Sequence, residues 1–215
     1  MKIFANEIYH IYNQGNNQET IFYDHEDYME FLTIFRKMVY PHGVVLAYCL
    51  MPNHFHFLLY ATEDSAKVKR IGNIDSCELS NGFRLLRSSY AQYINKKYHR
   101  TGSLFRQKAK AKPTSDGSGD HHFIAFHYIH QNPFKAGLVK RLEDWPYSSF
   151  IDYAGLRNGS LCNQLLAEKM IGFDKNNFIK ESYQEINPAL LQNIYDKRDW
   201  NILSISVGTE GQTDI

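Results

Sequence analysis

An α+β fold built on an antiparallel sheet is predicted by three observations. Short runs rich in Ile, Val, Phe and Tyr alternate with longer stretches whose apolar residues recur at helical spacing. These segments fall in the order β-α-β-β-α-β, with one further helix behind them. Two successive strand-like runs, "VVLAYCL" and "HFHFLLY", are joined by "MPN", whose proline and asparagine suit a turn.

Each element has its own signal. Residues 3–12, "IFANEIYHIY", read as a strand followed by the turn-like "NQGNNQET". A helix starting at Asp24 or His25 and running to about Val39 buries Tyr28, Phe31, Leu32, Phe35 and Val39 on one face, and "PHG" stops it. The hairpin follows, then an irregular polar stretch over 62–76, then a helix over 79–99 with a stripe of Phe83, Leu86, Tyr90, Tyr93, Ile94 and Tyr98. "TGSLFRQKAKAKPT" turns at Gly102 and becomes a fourth strand, in which Lys108, Lys110 and Lys112 alternate with Ala109 and Ala111. "SDGSGD" reads as a loop whose Asp120 caps a helix over 121–131. This order is the ferredoxin-like arrangement, a four-stranded antiparallel sheet with two helices on one face. The expected organisation is one domain over 1–155 and a helical extension over 156–215, its last residues "SVGTEGQTDI" a flexible tail.

Composition narrows the function classes. With 43% hydrophobic and 14% aromatic residues in 215, the chain can bury a core and is not a disordered protein. The absence of an 18-residue apolar run and of a signal-peptide core predicts a soluble, cytoplasmic protein with no membrane partner. Cys49, Cys77 and Cys162 are odd in number and far apart, which argues against a disulfide framework and a cysteine zinc site. The net charge of +1 conceals a segregation: Leu79–Ser115 holds nine Lys and Arg and no acidic residue. A phosphate-binding surface explains this better than solubility, because solvating surfaces mix signs. Arg84, Arg87, Lys97, Arg100, Arg106, Lys108 and Lys110 are its candidate phosphate contacts; Asn16 and Asn17 of the "GNN" turn read either as nucleic-acid contacts or, more commonly for such a loop, as plain polar turn residues.

Two motifs carry chemistry. In "CLMPNHFHFLLY" a strand puts His54 and His56 on one face and Phe55, Phe57 and Leu59 on the other. Two neutral imidazoles side by side can hold a metal ion, but H-x-H alone is a weak signal, and sheet residues with hydrogen-bonded nitrogens are the commoner case. In "HYIHQNPFKAGLV", Tyr128 and Asn132 lie four apart on one helix face. Pro133 places Asn132 at the helix end with its amide pointing outward. Gln131 is a rival amide, and His130 projects elsewhere, toward solvent or DNA.

The blocks "YHIYNQGNNQETIF", "CLMPNHFHFLL", "RTGSLFRQKAKA", "HYIHQNPFKAGLV" and "WPYSSF", in this order, resemble the REP-associated tyrosine transposases, a branch of the single-tyrosine HUH transposases. The resemblance spans about residues 3–155. It implies that His54 and His56 bind a divalent metal with Asn132 as third ligand. It also implies that Tyr128 is a nucleophile that becomes joined to a 5′ phosphate of single-stranded DNA. Two imidazoles and an amide oxygen, with positions left for water and phosphate, suit Mg²⁺ or Mn²⁺. The implied activity is cutting and rejoining of single-stranded or hairpin DNA by a monomer or homodimer. The alternatives are a domesticated hairpin-binding protein without cleavage and a replication initiator or relaxase of the wider HUH class.

Overall fold

The computed structural model describes residues 1–71, 73–115 and 120–191. Its centre is a four-stranded antiparallel sheet formed by β1 (Glu7–Gln14), β2 (Val44–Met51), β3 (His54–Ala61) and a later strand, in the spatial order β2-β3-β1 and then that strand. Between β1 and β2 runs α1 (His25–Met38), and after β3 come a short α2 (Glu63–Ala66), β4 (Val68–Ile71), β5 (Ile74–Cys77) and α3 (Glu78–Lys97). The fourth sheet strand is β6 (Lys110–Pro113), followed by α4 (Asp120–Lys135), α5 (Phe150–Tyr153), α6 (Gln164–Ile171), α7 (Phe178–Ser182) and α8 (Pro188–Leu191). The ferredoxin-like order holds.

The sheet is buried on both faces. Tyr9, Ile11, Phe55, Phe57 and Leu59 point to one side, where Phe31 and Phe35 of α1 and Phe83, Leu86 and Tyr90 of α3 meet them. Ile8, Tyr12, Leu58 and Met51 point to the other, where α4, α5, α6 and α7 contribute Phe126, Ile129, Phe150, Ala167 and Phe178. Burial on two sides explains why β2 reads as an unbroken apolar run rather than an alternating one. A bulge between Val45 and Ala47 turns both Leu46 and Ala47 toward the α4 side.

Local chemistry fixes the elements. Asp24 and Asp27 form a reciprocal capping box that starts α1. The far end of α3 is tied back to it by Lys97, whose ammonium lies 2.8–2.9 Å from Asp24, Glu26 and Asp27. Gly82 lets α3 cross α1 closely, since a Cβ there would stand 2.4 Å from the Met38 carbonyl oxygen. Both edges of the sheet are managed. At β2, Leu50 N–H donates to Tyr147 O, Trp145 Nε1 donates to Leu50 O, and Tyr48 N–H donates to Ser149 Oγ. The "WPYSS" run is therefore a strap on that edge. At β6 the strand has only four residues and two of them are lysines.

The structure corrects several sequence expectations. The first strand begins at Glu7 because Asn6 is left-handed, with φ of +64°, and it continues to Gln14 because pairing with β3 carries on to His54. The described residues of the polar stretch over 62–76 form α2 and the β4–β5 pair, a two-stranded ribbon apart from the main sheet whose mixed polar sequence carries no alternation. The fourth strand is short, and Phe105 makes only an isolated bridge to Gly15. The "SDGSGD" loop and the tail "SVGTEGQTDI" fall largely or wholly outside the described residues, as does the Asp120 side chain with its expected cap. The extension contributes α6, α7 and α8, and its Ala167, Ile171 and Phe178 share one core with α4.

Gly82→Ala should lower stability by about 1–3 kcal/mol, the cost of overpacking against a backbone atom that cannot rotate away. Urea unfolding with an unchanged m-value would show it.

Candidate active site

The site begins with the alternation of β3. His54 and His56 lie on the α4 side of the sheet, 4.8 Å apart between ring centroids and nearly perpendicular, while Phe55 and Phe57 enter the opposite core. Both imidazoles are buried. Burial pushes the His54 imidazole down to about 3. The same cause, with the neighbouring His54 and His10, puts His56 well below the ordinary histidine value. Both are thus neutral at physiological pH, the form that offers a lone pair.

Their orientations are set from outside. His54 Nδ1 lies 2.6 Å from Asn53 Oδ1, and Asn53 Nδ2 donates to Gln18 O at 3.3 Å. An amide oxygen only accepts, so His54 carries its proton on Nδ1 and presents a bare Nε2. That Nε2 is buried with no hydrogen-bond partner. His56 Nδ1 lies 3.0 Å from His10 Nε2 of β1. Tyr12, two residues further along the same face, stacks on His10 at 4.9 Å. Asn53 and His10 were missed by sequence reasoning. Asn53 reads as an ordinary turn residue, although the period-two spacing of His10 and Tyr12 in "YHIYNQ" signals one shared face.

From the other side α4 presents Tyr128, whose ring meets His56 edge to face at 6.5 Å. Tyr128 is only 4% exposed, so it packs into the site rather than standing on the surface. Lys135, two helical turns on, reaches back so that its ammonium lies 5.5 Å from the Tyr128 ring centroid. Sequence reasoning did not single out Lys135, although a spacing of seven on a helix returns to the same face.

The "NPFKAGLV" motif differs from its expectation. The helix does not end at Asn132 but runs through Pro133 to Lys135. Pro133 has no N–H for the Ile129 carbonyl, and the Asn132 side chain supplies the missing donor. Its Nδ2 donates to Tyr128 O at 2.9 Å and to Ile129 O at 3.4 Å. The helix stops at Gly137, left-handed with φ of +69°, where Leu138 N–H donates back to Pro133 O. Asn132 is therefore a buried patch within the helix rather than an amide free at its end. With Nδ2 turned to the backbone, Oδ1 is directed away from those carbonyls.

The remaining polar residues of α4 face the C-terminal layer. Gln131 Nε2 donates to Ser182 O and Gln184 O, both at 2.8 Å, which ties this rival amide to the C-terminal layer through its nitrogen, while its Oε1 is buried without a hydrogen-bond partner. His127 Nδ1 meets Ser182 Oγ at 3.0 Å. His130 is not at the surface: it is buried among Phe126, Phe150 and Phe178 with Nε2 2.8 Å from Ser149 Oγ. The expectation of a solvent-facing His130 fails because the extension covers that side of α4.

The nine residues read as DNA contacts divide. Lys97 is held by three carboxylates, Arg100 by Glu19 and the Tyr23 hydroxyl, and Arg87 donates to the carbonyls of Arg106 and Gln107. Those three serve the fold, which corrects their reading as open phosphate contacts. Arg84 and Lys108 line a cleft of about 340 Å³ between α3 and the approach to β6. Lys110 pairs across from Tyr12 and Lys112 across from His10, so both share the face of the histidines. Asn16 and Asn17 form an exposed turn after β1, at the end where Gln14 pairs with His54 and Gly15 N–H donates to Asn53 O. Arg106 lies beside that end, where its N–H donates to Gln14 O.

Fold and site together describe an α+β protein with a His-x-His strand facing a tyrosine on an adjoining helix. No family model matches the chain. It is similar to a Haemophilus influenzae protein named "Putative REP-associated tyrosine transposase", with 31% identity over 114 residues. That match covers 52% of this chain and 60% of the relative's length. In fold it is similar to a solved structure of a REP-associated tyrosine transposase bound to a REP hairpin, with a TM-score of 0.52, 14% identity, and coverage of 74% of this chain and 93% of that one. The family read from the ordered motifs recurs in the name of that relative, and the solved structure shares the fold. Among the described residues no group of three or more His, Cys, Asp and Glu could hold a metal, and no helix is long and apolar enough to cross a membrane.

Asn132→Ala leaves the Ile129 carbonyl with neither a proline N–H nor an amide to accept from. A stability loss of about 1–3 kcal/mol is expected, read from chemical denaturation.

Proposed function

We propose that this chain is a metal-dependent DNA strand transferase that cuts and rejoins single-stranded or hairpin DNA through Tyr128. The observation that carries this is the edge-to-face approach of Tyr128 to His56, beside a His54 whose Nε2 is buried without a partner. The solved structure of similar fold is bound to a REP hairpin, which supports hairpin DNA as the substrate class.

In this reading the Tyr128 oxygen forms a bond to a backbone phosphorus and the bond from phosphorus to the 3′ oxygen breaks. One strand end becomes a 5′ phosphotyrosine. The other leaves as a 3′ hydroxyl, which takes up the proton that the phenol gives up. Attack by a 3′ hydroxyl on the phosphotyrosine reverses the exchange and rejoins DNA, with the phosphodiester energy conserved throughout. His54 and His56 would hold a divalent cation, Mg²⁺ or Mn²⁺, through Nε2, with Asn132 Oδ1 as the third protein ligand. A neutral, buried, pre-oriented imidazole pair fits that role. When bound, the ion supplies Lewis acidity and orientation at the phosphate. Lys135 places positive charge beside the phenol. Arg84, Arg106, Lys108 and Lys110, with the Asn16–Asn17 turn, would receive the DNA backbone.

Incubation with a labelled single-stranded hairpin and Mn²⁺ should give a covalent protein–DNA adduct. Tyr128→Phe should abolish it while hairpin binding persists, because only the attacking oxygen is lost. An adduct surviving in that variant would assign the nucleophile to another tyrosine.

Hairpin affinity should also fall with salt, by a log–log slope of roughly −0.7 per phosphate contact on a single strand. Joint replacement of Lys108 and Lys110 by Ala should flatten the slope by one to two contacts. An unchanged slope would make those lysines guardians of the β6 edge only.

A further inference from the structure

We infer that His10 is a positioning residue that makes His56 competent to hold a metal, by keeping the proton of the His56 imidazole on Nδ1. The inference rests on the reading above, in which His54 and His56 take a divalent cation.

His10 lies in the middle of β1, fully buried. The register places Tyr12 opposite His56 and His10 opposite Leu58, so His10 is the diagonal neighbour of His56 on the same face. Their rings stack at 5.2 Å with an interplanar angle of 24°, and His10 Nε2 stands 3.0 Å from His56 Nδ1. Two neutral imidazole nitrogens at that distance share one proton between them, which leaves two arrangements. If His10 is the donor, His56 accepts at Nδ1 and carries its own hydrogen on Nε2, which then cannot bind a metal. If His56 is the donor, its Nε2 is a lone pair.

The companion histidine selects between them. His54 is gripped at the same ring atom, Nδ1, by an amide oxygen that can only accept. Both imidazoles are therefore held by the protein at Nδ1, through different partners on different elements, and in both Nε2 is the ring nitrogen on the far side from that partner. A histidine that merely filled the core would have no need to match the ring atom used on its neighbour. His10 with its proton on the far nitrogen does for His56 what Asn53 does for His54.

The test uses the full chain without DNA and Mn²⁺ as the probe, followed by calorimetry and by melting curves for each variant. His10→Leu offers no acceptor and should weaken Mn²⁺ binding by about 10–100-fold, the usual cost of losing such a partner. His10→Gln, whose side-chain oxygen can accept from Nδ1–H, should recover most of that loss. A purely structural His10 would instead lower the melting temperature in both variants and leave affinity alone. Nitrogen NMR of the histidine-labelled, metal-free wild type should show His56 protonated at Nδ1, and this arm needs no variant to fold. Wild-type binding equalled by folded His10→Leu, or a His56 protonated at Nε2, would overturn the role of His10. Failure of the wild type itself to bind Mn²⁺ would instead overturn the metal reading on which it stands.

Discussion

Everything at the site depends on the sheet being covered on both faces. A strand that is buried on one side alone can leave polar residues to water, and their protonation and orientation then drift with solvent. β3 has no such side. His54 and His56 must be neutral, because a charged group there costs several kcal/mol, and each is gripped by protein at Nδ1. The fold answers with fixed partners: an amide from the hairpin turn on one imidazole and a histidine from the neighbouring strand on the other. The same layer that buries the histidines is the helix that carries Tyr128, so burial and assembly of the site are one event.

The C-terminal layer completes this logic. α4 is packed between the sheet and the extension, and polar side chains on its outer side find partners there and on the edge strap: His127 with Ser182, Gln131 with the carbonyls of Ser182 and Gln184, and His130 with Ser149 of the strap. The tyrosine helix is thus held at a fixed height above the histidines by groups that take no part in the chemistry. Asn132 extends the same economy to the helix axis, keeping it continuous through a proline that would otherwise end it short of Lys135, which reaches back to Tyr128.

Much of this was legible in the sequence. The strand and helix order follows from periodicity, and the shared face of His54 and His56 follows from the two-residue repeat of a strand. The pairing of Tyr128 with those histidines came from the ordered motifs rather than from spacing alone. Three things were hidden for physical reasons. A proline normally ends a helix, and only a side chain bonding back to the chain reveals the exception at Pro133. The roles of Asn53 and His10 depend on strand register, which composition does not encode. The fates of Lys97, Arg100 and Arg87 depend on which carboxylates and carbonyls tertiary folding brings to them, and a run of positive charge looks the same before and after neutralisation.

The position of β1 has a consequence in time. It is the first strand of the chain and yet an interior one, flanked by β3 on one side and β6 on the other. When β3 has paired with it, its other side remains an open row of donors and acceptors until β6, about a hundred residues later, arrives. Such distant closure is slow, because the intervening loop must lose its freedom before the contact repays it. During synthesis the half-made sheet is therefore exposed along the strand that carries His10. The lysines of β6, arriving last, seal that edge and bring positive charge to the site face in the same step.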